Sequence, residues 1–183
     1  MSNVGIDAMI NRVLNKEDKG MGIFFREVEN KGIDCRLFGF IMEAEELNGC
    51  HDLIDLYYVS VGPGEVELEI PVGASHLNTA GVVHGGIIAN LADSAIGMAM
   101  RSLNKSGVTT SLSVNFLKSA TRGDVLKAIG TAQRDGRKMF FGEAKIYNQR
   151  GDLLAIAQGS FFNTGEFLDN YLKVREERGI AAE

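Results

Sequence analysis

The sequence predicts an α+β fold in which one antiparallel sheet packs against a single long helix. Apolar and charged residues alternate from Glu65 to Ile70, which is typical of a strand with one face in water. A helix is predicted from about His84 to Leu103, and strands follow at about 108–117, 125–135, 138–148 and 153–162. Short turns join these strands, so we expect antiparallel neighbours, because a parallel pair needs a long crossover.

The first 51 residues are less regular than the rest of the chain. Apolar residues recur at helical spacing between positions 5 and 16, which predicts an amphipathic helix. Residues 22–42 fit either a hairpin that turns at Asn30-Lys31-Gly32 or a partly helical segment, and residues 43–51 fit a short helix or a loop. We therefore expect an N-terminal extension (1–51), a main domain (52–165) and a helical C-terminal tail (166–183).

Length and composition favour one globular domain. The chain has 183 residues, and its 45% hydrophobic and 23% charged fractions are ordinary for a soluble protein. No apolar run reaches the ~18 residues that a membrane span needs, and the first residues do not resemble a signal peptide. Cys35 and Cys50 are too few for a disulfide framework, so we expect reduced thiols. Together these features predict a cytoplasmic protein that does not enter a membrane.

Charge is distributed unevenly along the chain. The formal net charge is −5, which argues against a general nucleic-acid binder. Between Lys118 and Lys138, however, six basic residues accompany only two acidic ones. This local excess suits a ligand that carries phosphates, and solvated strand faces explain it equally well on composition alone.

The predicted helix has two contrasting faces when each residue is rotated by 100°. One face is apolar and comprises Ile87, Ile88, Leu91, Ala92, Ala95, Met98 and Ala99. The other comprises Gly86, Ala89, Asn90, Asp93, Ile96, Gly97 and Met100. Asp93 is thus the one charged residue between His84 and Met100, and the small residues around it indicate that a backbone or a ligand lies close. Such a carboxylate needs either partners or a function, and the pattern leaves both readings open.

His84-Gly85-Gly86 opens the helix, where backbone N–H groups are unpaired and the helix dipole is positive. Glycine lets a ligand approach this backbone closely, so the Gly85-Gly86 pair is suited to hold the oxygen of a polarised carbonyl. A simple turn into the helix accounts for the same two glycines.

The run from Asn78 to Gly86, followed by Leu91, Asp93 and Gly97, resembles the motif of the PaaI-like (phenylacetate-pathway-type) hotdog thioesterases. The similarity extends from about Asp52 to Thr164. It implies the hotdog fold, in which an antiparallel sheet wraps around a long central helix. It also implies hydrolysis of acyl-CoA-type thioesters to a free acid and the CoA thiol, with no metal and no cofactor.

The resemblance also implies roles for individual residues. Asn78 and the backbone N–H of Gly85 would hold the thioester carbonyl, with His84 beside them. Asp93 would act as nucleophile or general base, and Ser111 on the following strand would orient the attacking water.

Substrate contacts are expected at two further places. Gly86 lies beside the carbonyl site, and Arg134, Arg137 and Lys138 in the predicted hairpin would contact the CoA phosphates.

Helix geometry predicts an oligomer. Gly85 and Asp93 are eight residues apart on one helix, hence ~12 Å along its axis, which a short side chain cannot span. If both serve one site, they come from different chains, so a homodimer or homotetramer with antiparallel central helices is expected.

Two other functions remain open at this point. A hotdog dehydratase or hydratase would need a catalytic histidine paired with an acid, and an acyl-CoA-binding regulatory module would need no chemistry at all. The remaining histidines have simple interpretations: His76 as a surface-loop residue and His51, beside Cys50, as incidental. No spacing of cysteine, histidine and carboxylate residues resembles a zinc motif.

Overall fold

The computed structural model describes residues 28–177, and within them seven strands form one sheet around a long helix. The strands are β1 (Glu29–Asn30), β2 (Tyr57–Gly62), β3 (Glu65–Pro71), β4 (Lys105–Phe116), β5 (Val125–Asp135), β6 (Met139–Tyr147) and β7 (Leu153–Glu166). The helices are α1 (Cys35–Glu45), α2 (Gly49–Leu53), α3 (Gly85–Arg101) and α4 (Phe167–Glu177). The predicted α+β fold is therefore confirmed, and α3 matches the predicted central helix to within two residues. None of the described helices has the length and apolar composition needed to cross a bilayer.

The sheet has the order β1-β2-β3-β5-β6-β7-β4. Its neighbours are antiparallel except for β1 and β2, which run parallel. β4, a strand of twelve residues, comes last in this order and therefore forms one edge of the sheet. This position differs from the sequence prediction, because the turn at Thr121–Asp124 does not join two paired strands. Residues 117–124 instead cross from β4 to β5. Two backbone hydrogen bonds of 2.8 Å hold this segment in place, one from Leu117 N–H to Leu154 O and one from Val83 N–H to Ala120 O.

The sequence did not predict β2, and one of the two alternatives for the N-terminal segment is wrong. Asn30 does form a turn, since its side-chain Oδ1 accepts hydrogen bonds from the N–H groups of Gly32 and Ile33. The chain then enters α1 rather than a second strand, because the Asp34 carboxylate caps the helix by accepting from the N–H groups of residues 36 and 37. The helical reading is thus confirmed for the described part. The helix predicted over residues 5–16 lies outside the described residues.

α3 lies very close to the sheet because glycines replace side chains beneath it. A methyl group at Gly130 of β5 would collide with the carbonyl oxygen of Ala95, and one at Gly142 of β6 would lie 2.5 Å from Cγ2 of Ile96. Ile96 and Met100, which the sequence placed on the face opposite the apolar one, are buried because the sheet curls around this half of the helix. Strand glycine here serves close backbone approach.

One hydrophobic core joins most of these elements. It includes residues of α1 such as Leu37 and Ile41, so the segment before position 52 packs into the same core as the sheet and α3. The C-terminal tail contributes Phe167 and Tyr171 from α4, which agrees with its predicted helical character. The boundaries at residues 51 and 165 stay a prediction.

We predict that Gly130→Ala lowers the free energy of unfolding by about 1–3 kcal/mol or more, because the new methyl group meets rigid helix backbone. Urea unfolding followed by circular dichroism would measure the change. Gly49→Ala is the matched control, since a methyl group there meets nothing within 4 Å. Equal stability of Gly130→Ala and the wild type would contradict the close approach of α3 to β5.

Candidate active site

Asp93 lies midway along α3, at the boundary between core and solvent. Its half-buried carboxylate accepts a hydrogen bond from Thr109 Oγ1 of β4, at 2.9 Å from Oδ1 and 3.2 Å from Oδ2. Burial raises the pKa of Asp93 above its ordinary value, and the Thr109 hydrogen bond opposes part of this rise. A carboxylate whose pKa is moved toward neutrality is suited to accept a proton during catalysis.

The start of α3 carries the predicted His84-Gly85-Gly86 step. His84 is exposed and caps the helix, because its ring Nδ1 accepts a hydrogen bond from Gly86 N–H at 2.9 Å. The Gly85 N–H makes no hydrogen bond to any described residue, and a side chain at Gly85 would meet the Phe116 ring at 3.3 Å. Gly85 lines a cavity of about 320 Å³, so the residue with this unused donor borders a space that a ligand can enter.

Asn78 belongs to a tight loop directly before α3. Its backbone N–H donates to Val82 O at 2.8 Å, and its side-chain Oδ1 accepts from the N–H of Ala80 at 2.9 Å. These bonds fix the amide so that its oxygen faces the loop. The Nδ2 group makes no hydrogen bond within the described residues, which leaves two N–H donors for a ligand. The loop thus keeps Asn78 next to the first turn of α3.

The structure separates other predicted site residues. Ser111 is exposed on β4 opposite Ser160, and its hydroxyl makes no hydrogen bond within residues 28–177; the hydroxyl on Asp93 belongs to Thr109, two positions earlier. Sequence analysis missed Thr109, because alternating polar residues in a strand do not show which one meets the helix.

The basic cluster, Arg134, Arg137 and Lys138, lies exposed around the turn between β5 and β6. This turn is at the end of β5 nearest the C-terminus of α3, where Leu103 and Ala132 both lie near Gly64. The start of α3 is held beside residues 120 and 121, at the opposite end of β5. Within one chain, therefore, the basic cluster and Gly85 are at opposite ends of the molecule.

A buried polar cluster near Asp93 was not expected from the sequence. His51 Nδ1 lies 2.9 Å from Glu45 Oε2 and 3.1 Å from the Tyr58 hydroxyl, while Nε2 lies 2.9 Å from Ser94 Oγ. Glu45 also forms an ion pair with Arg101. The sequence weighed His51 only as incidental against a metal ligand, and it did not predict this hydrogen-bonded cluster. The sequence carries no single periodic signal for this cluster, because Glu45 ends α1, Asn48 precedes α2 and His51 lies within α2.

His76 is also buried, with only 1% of its surface exposed, so its assignment to a surface loop is wrong. Its Nδ1 accepts from Gly73 N–H at 3.0 Å, which places the ring proton on Nε2, 3.6 Å from Asp55 Oδ2. Its carbonyl oxygen accepts from His84 N–H at 2.8 Å. His76 thus supports the loop that leads into α3. Among residues 28–177, no group of three or more cysteine, histidine and carboxylate side chains is placed to hold a metal ion.

Comparison with known sequences gives the family context. A sequence model of the thioesterase superfamily matches residues 80–155, which contain both Gly85 and Asp93. A candidate esterase from Archaeoglobus fulgidus is 31% identical over 115 residues, covering 63% of this chain and 75% of that protein. The acyl-coenzyme A thioesterase PaaI of Escherichia coli is 26% identical over 120 residues, covering 66% of this chain and 86% of PaaI.

Comparison with solved structures agrees on the fold. The E. coli PaaI protein superposes with a TM-score of 0.70 at 23% identity, over 74% of this chain and 98% of PaaI. A hypothetical thioesterase from Streptococcus pneumoniae, solved with coenzyme A, superposes with a TM-score of 0.59 at 32% identity, over 61% of this chain and 90% of that one. Mutant structures of this protein replace an aspartate and, sixteen positions later, a threonine by alanine. Asp93 and Thr109 have the same separation in sequence.

We predict that Asp93→Asn raises the melting temperature at pH 7. Burial raises the pKa of Asp93 in the folded state, so the protonated carboxyl stabilises the fold. This stabilisation is fully present below the ordinary aspartate pKa of about 3.9, and it is lost as the pH rises through the raised pKa. Asparagine imitates the protonated carboxyl at every pH. Calorimetry should therefore show the gain at pH 7 disappear near pH 3, and a gain that is independent of pH would contradict this account.

Proposed function

The chain belongs to the thioesterase superfamily and has the hotdog fold of PaaI-like thioesterases, and on this premise we propose that it hydrolyses acyl-CoA thioesters with Asp93 as the reacting carboxylate. The observation that carries the proposal is the half-buried carboxylate with a raised pKa, eight residues after an unused backbone donor at the helix start. The names of the relatives support coenzyme A as the thiol half of the substrate.

In this mechanism the thioester carbonyl oxygen accepts hydrogen bonds from Asn78 Nδ2 and Gly85 N–H. Both donors are unused by the described residues, and the positive end of the α3 dipole favours the negative charge that develops on the oxygen. Asp93 either attacks the carbonyl carbon or removes a proton from an attacking water. The CoA thiolate then leaves with little need for a general acid, because thiols are acidic, with a pKa of about 8.5.

Thr109 and Ser111 have different parts in this proposal. Thr109 donates to Asp93 and so fixes the direction of the carboxylate. The aspartate and threonine changed in the S. pneumoniae protein, with the same sixteen-residue separation, support this pairing. Ser111 is the residue that the family motif assigns to the attacking water.

We propose that the complete site forms between two copies of the chain. Gly85 and Asp93 are ~12 Å apart along one helix, so Asp93 of the partner subunit would have to reach the carbonyl held at Gly85. The edge strand β4 and neighbouring apolar side chains support such contact, because Val108, Phe116 and Phe162 are between 46% and 58% exposed. A homodimer is the smallest unit with this geometry, and a dimer of dimers is compatible with it.

The dimer would also reunite the carbonyl site with the basic cluster. In an antiparallel pair, the C-terminal end of one α3 lies beside the N-terminal end of the other. Arg134, Arg137 and Lys138 of one chain would then approach the CoA bound at Gly85 of its partner, where cations favour phosphate. Gly86, which has no side chain, leaves the helix start open to the same ligand. Localisation in the cytoplasm stays a prediction.

We predict that Arg137→Ala raises KM for acetyl-CoA at least about fivefold while leaving KM for S-acetyl-N-acetylcysteamine unchanged, because only the first substrate carries phosphates. Thiol release would measure both constants. Lys145→Ala is the control, since Lys145 is also exposed but lies in the middle of β6, away from the turn that carries the basic cluster. Equal effects of Arg137→Ala on the two substrates would show that the basic cluster does not contact CoA.

We predict that Asp93→Asn lowers acetyl-CoA hydrolysis by about 10²-fold or more, as expected for loss of a general base or nucleophile. Asn78→Asp should also be impaired, because it removes the Nδ2 donors while keeping the oxygen that holds the loop. When the two variants are unfolded together and refolded, random pairing should restore roughly a quarter of wild-type activity, since each mixed dimer has one intact site.

Asp169→Asn, an exposed carboxylate on α4, should leave hydrolysis at the wild-type rate and controls for the charge change. Native mass spectrometry would confirm that mixed dimers form. Wild-type turnover of Asp93→Asn would remove Asp93 from the mechanism. Mixed dimers without activity would instead mean that Asn78 and Asp93 serve one site from the same chain.

A further inference from the structure

A cavity of about 190 Å³ opens beside Asp93. One part of its lining comes from α3 and β4, including Asp93 and Thr109. Another part comes from the N-terminal segment outside the region matched by the family model, namely Glu45, Asn48 and His51. The carboxylate that the proposed function assigns to the chemistry therefore shares one half-open cavity with polar groups that this function does not use.

The volume decides which half of a thioester enters this space. A cavity of about 150 Å³ holds a molecule the size of benzene, so 190 Å³ accepts an acyl group of roughly six to eight non-hydrogen atoms. Coenzyme A is several times larger and has to stay outside. If Asp93 acts on the carbonyl carbon, the acyl group extends into the cavity.

A network of polar groups fixes the cavity lining. Burial acts to raise the pKa of Glu45, but the hydrogen bond from His51 and the charge of Arg101 outweigh it and lower the pKa to about 2. The Glu45 carboxylate is therefore ionised at neutral pH and accepts a further hydrogen bond from Asn48 Nδ2 at 2.9 Å. Asn48 and Arg101 are thus held in place by partners that are themselves buried or paired.

Asn48 and Arg101 each have hydrogen-bonding atoms that remain available to a ligand. Asn48 Oδ1 accepts no hydrogen bond from the residues that the structure describes, and Arg101 uses only its Nη1 group, toward Glu45 and Met98. A bound acyl group that excludes water would leave these atoms unsatisfied unless it carries a partner for them, at a cost of about 1–3 kcal/mol for each group.

We propose that this cavity is the acyl site and that Asn48 and Arg101 select a short acyl group with a neutral hydrogen-bonding substituent such as a hydroxyl. The inference rests on the proposed function, because it assumes that Asp93 acts on the carbonyl. Carboxylated acyl groups are disfavoured, since the Asp93 and Glu45 carboxylates outnumber the single Arg101 cation in the lining.

The residues that line the cavity also limit the length of the substrate's acyl chain. A second cavity, of about 450 Å³ and lined in part by α4, shares Glu45, Asn48 and Arg101 with the first. The Glu45–Arg101 ion pair thus borders both cavities, and a long alkyl chain would have to displace it to pass from one to the other. Displacing the partly exposed Arg101 would leave the buried Glu45 carboxylate without its cation, so long-chain substrates are disfavoured.

The test compares five CoA esters by thiol release, each corrected for the rate without enzyme: 3-hydroxybutyryl-CoA, 4-hydroxybutyryl-CoA, butyryl-CoA, succinyl-CoA and decanoyl-CoA. For the wild type, kcat/KM for the better hydroxybutyryl isomer should exceed that for butyryl-CoA about tenfold or more, because the polar lining is satisfied only by the first. Succinyl-CoA and decanoyl-CoA should be hydrolysed more slowly than hydroxybutyryl-CoA.

Asn48→Leu keeps the size of the side chain and should reduce the hydroxybutyryl preference by about tenfold while hydrolysis of butyryl-CoA persists. Asp52→Asn, exposed on the same short helix, is the matched control and should keep the wild-type preference. If Asn48→Leu does not fold, Asn48→Ser replaces it, and the wild-type ratio still decides the substrate class.

Equal or faster hydrolysis of butyryl-CoA or decanoyl-CoA by the wild type would overturn the inference, as would a folded Asn48→Leu protein with unchanged preference. In both cases thiol release continues and the proposed function stands. If no ester releases thiol, the proposed function itself fails. In that case, titration calorimetry with hydroxybutyryl-CoA and butyryl-CoA tests whether the cavity prefers the hydroxylated acyl group. Equal affinity for the two esters, or no binding of either, would overturn the inference.

Discussion

The contact between α3 and the glycines of the sheet fixes the position of everything else in the molecule. Gly130 has no side chain where the helix crosses β5, so helix and strand touch almost backbone to backbone there, and Gly142 of β6 leaves room for the Ile96 side chain. α3 carries Gly85 at its start, Asp93 at its middle and Arg101 at its end. The depth at which the helix lies in the sheet therefore sets the surroundings of all three groups at once.

That close contact also explains why Asp93 is chemically distinctive. The sheet covers one side of α3 so fully that Ile96 and Met100 are buried, while Asp93 stays at the border with β4. Half-burial penalises the charged form of the carboxylate, and a single hydroxyl from Thr109 does not compensate fully. The raised pKa of Asp93 therefore results from how the helix packs against the sheet.

The terminal segments complete the environment of α3. The α1 and α4 helices pack together, with Phe40 and Tyr171 edge to face at 6.0 Å between ring centroids and Arg175 3.2 Å from Glu43. α1 then delivers Glu45 to Arg101 at the end of α3. Because an ionised buried carboxylate requires partners, this pairing ties the N-terminal segment to the helix that carries Asp93.

The sequence by itself determined the elements whose pattern is local: the alternation that makes β3, the glycine step that opens α3, and the isolated Asp93. These depend on spacing along the chain, which a sequence displays directly. Tertiary structure alone decided that β4 pairs with β7, that Thr109 rather than Ser111 meets Asp93, and that His51 joins Glu45 and Ser94. Thr109 lies 16 positions from Asp93, His51 lies 43 from Ser94, and the paired residues of β4 and β7 are 39 to 61 positions apart. No local pattern reports such contacts, because they arise only when the core closes.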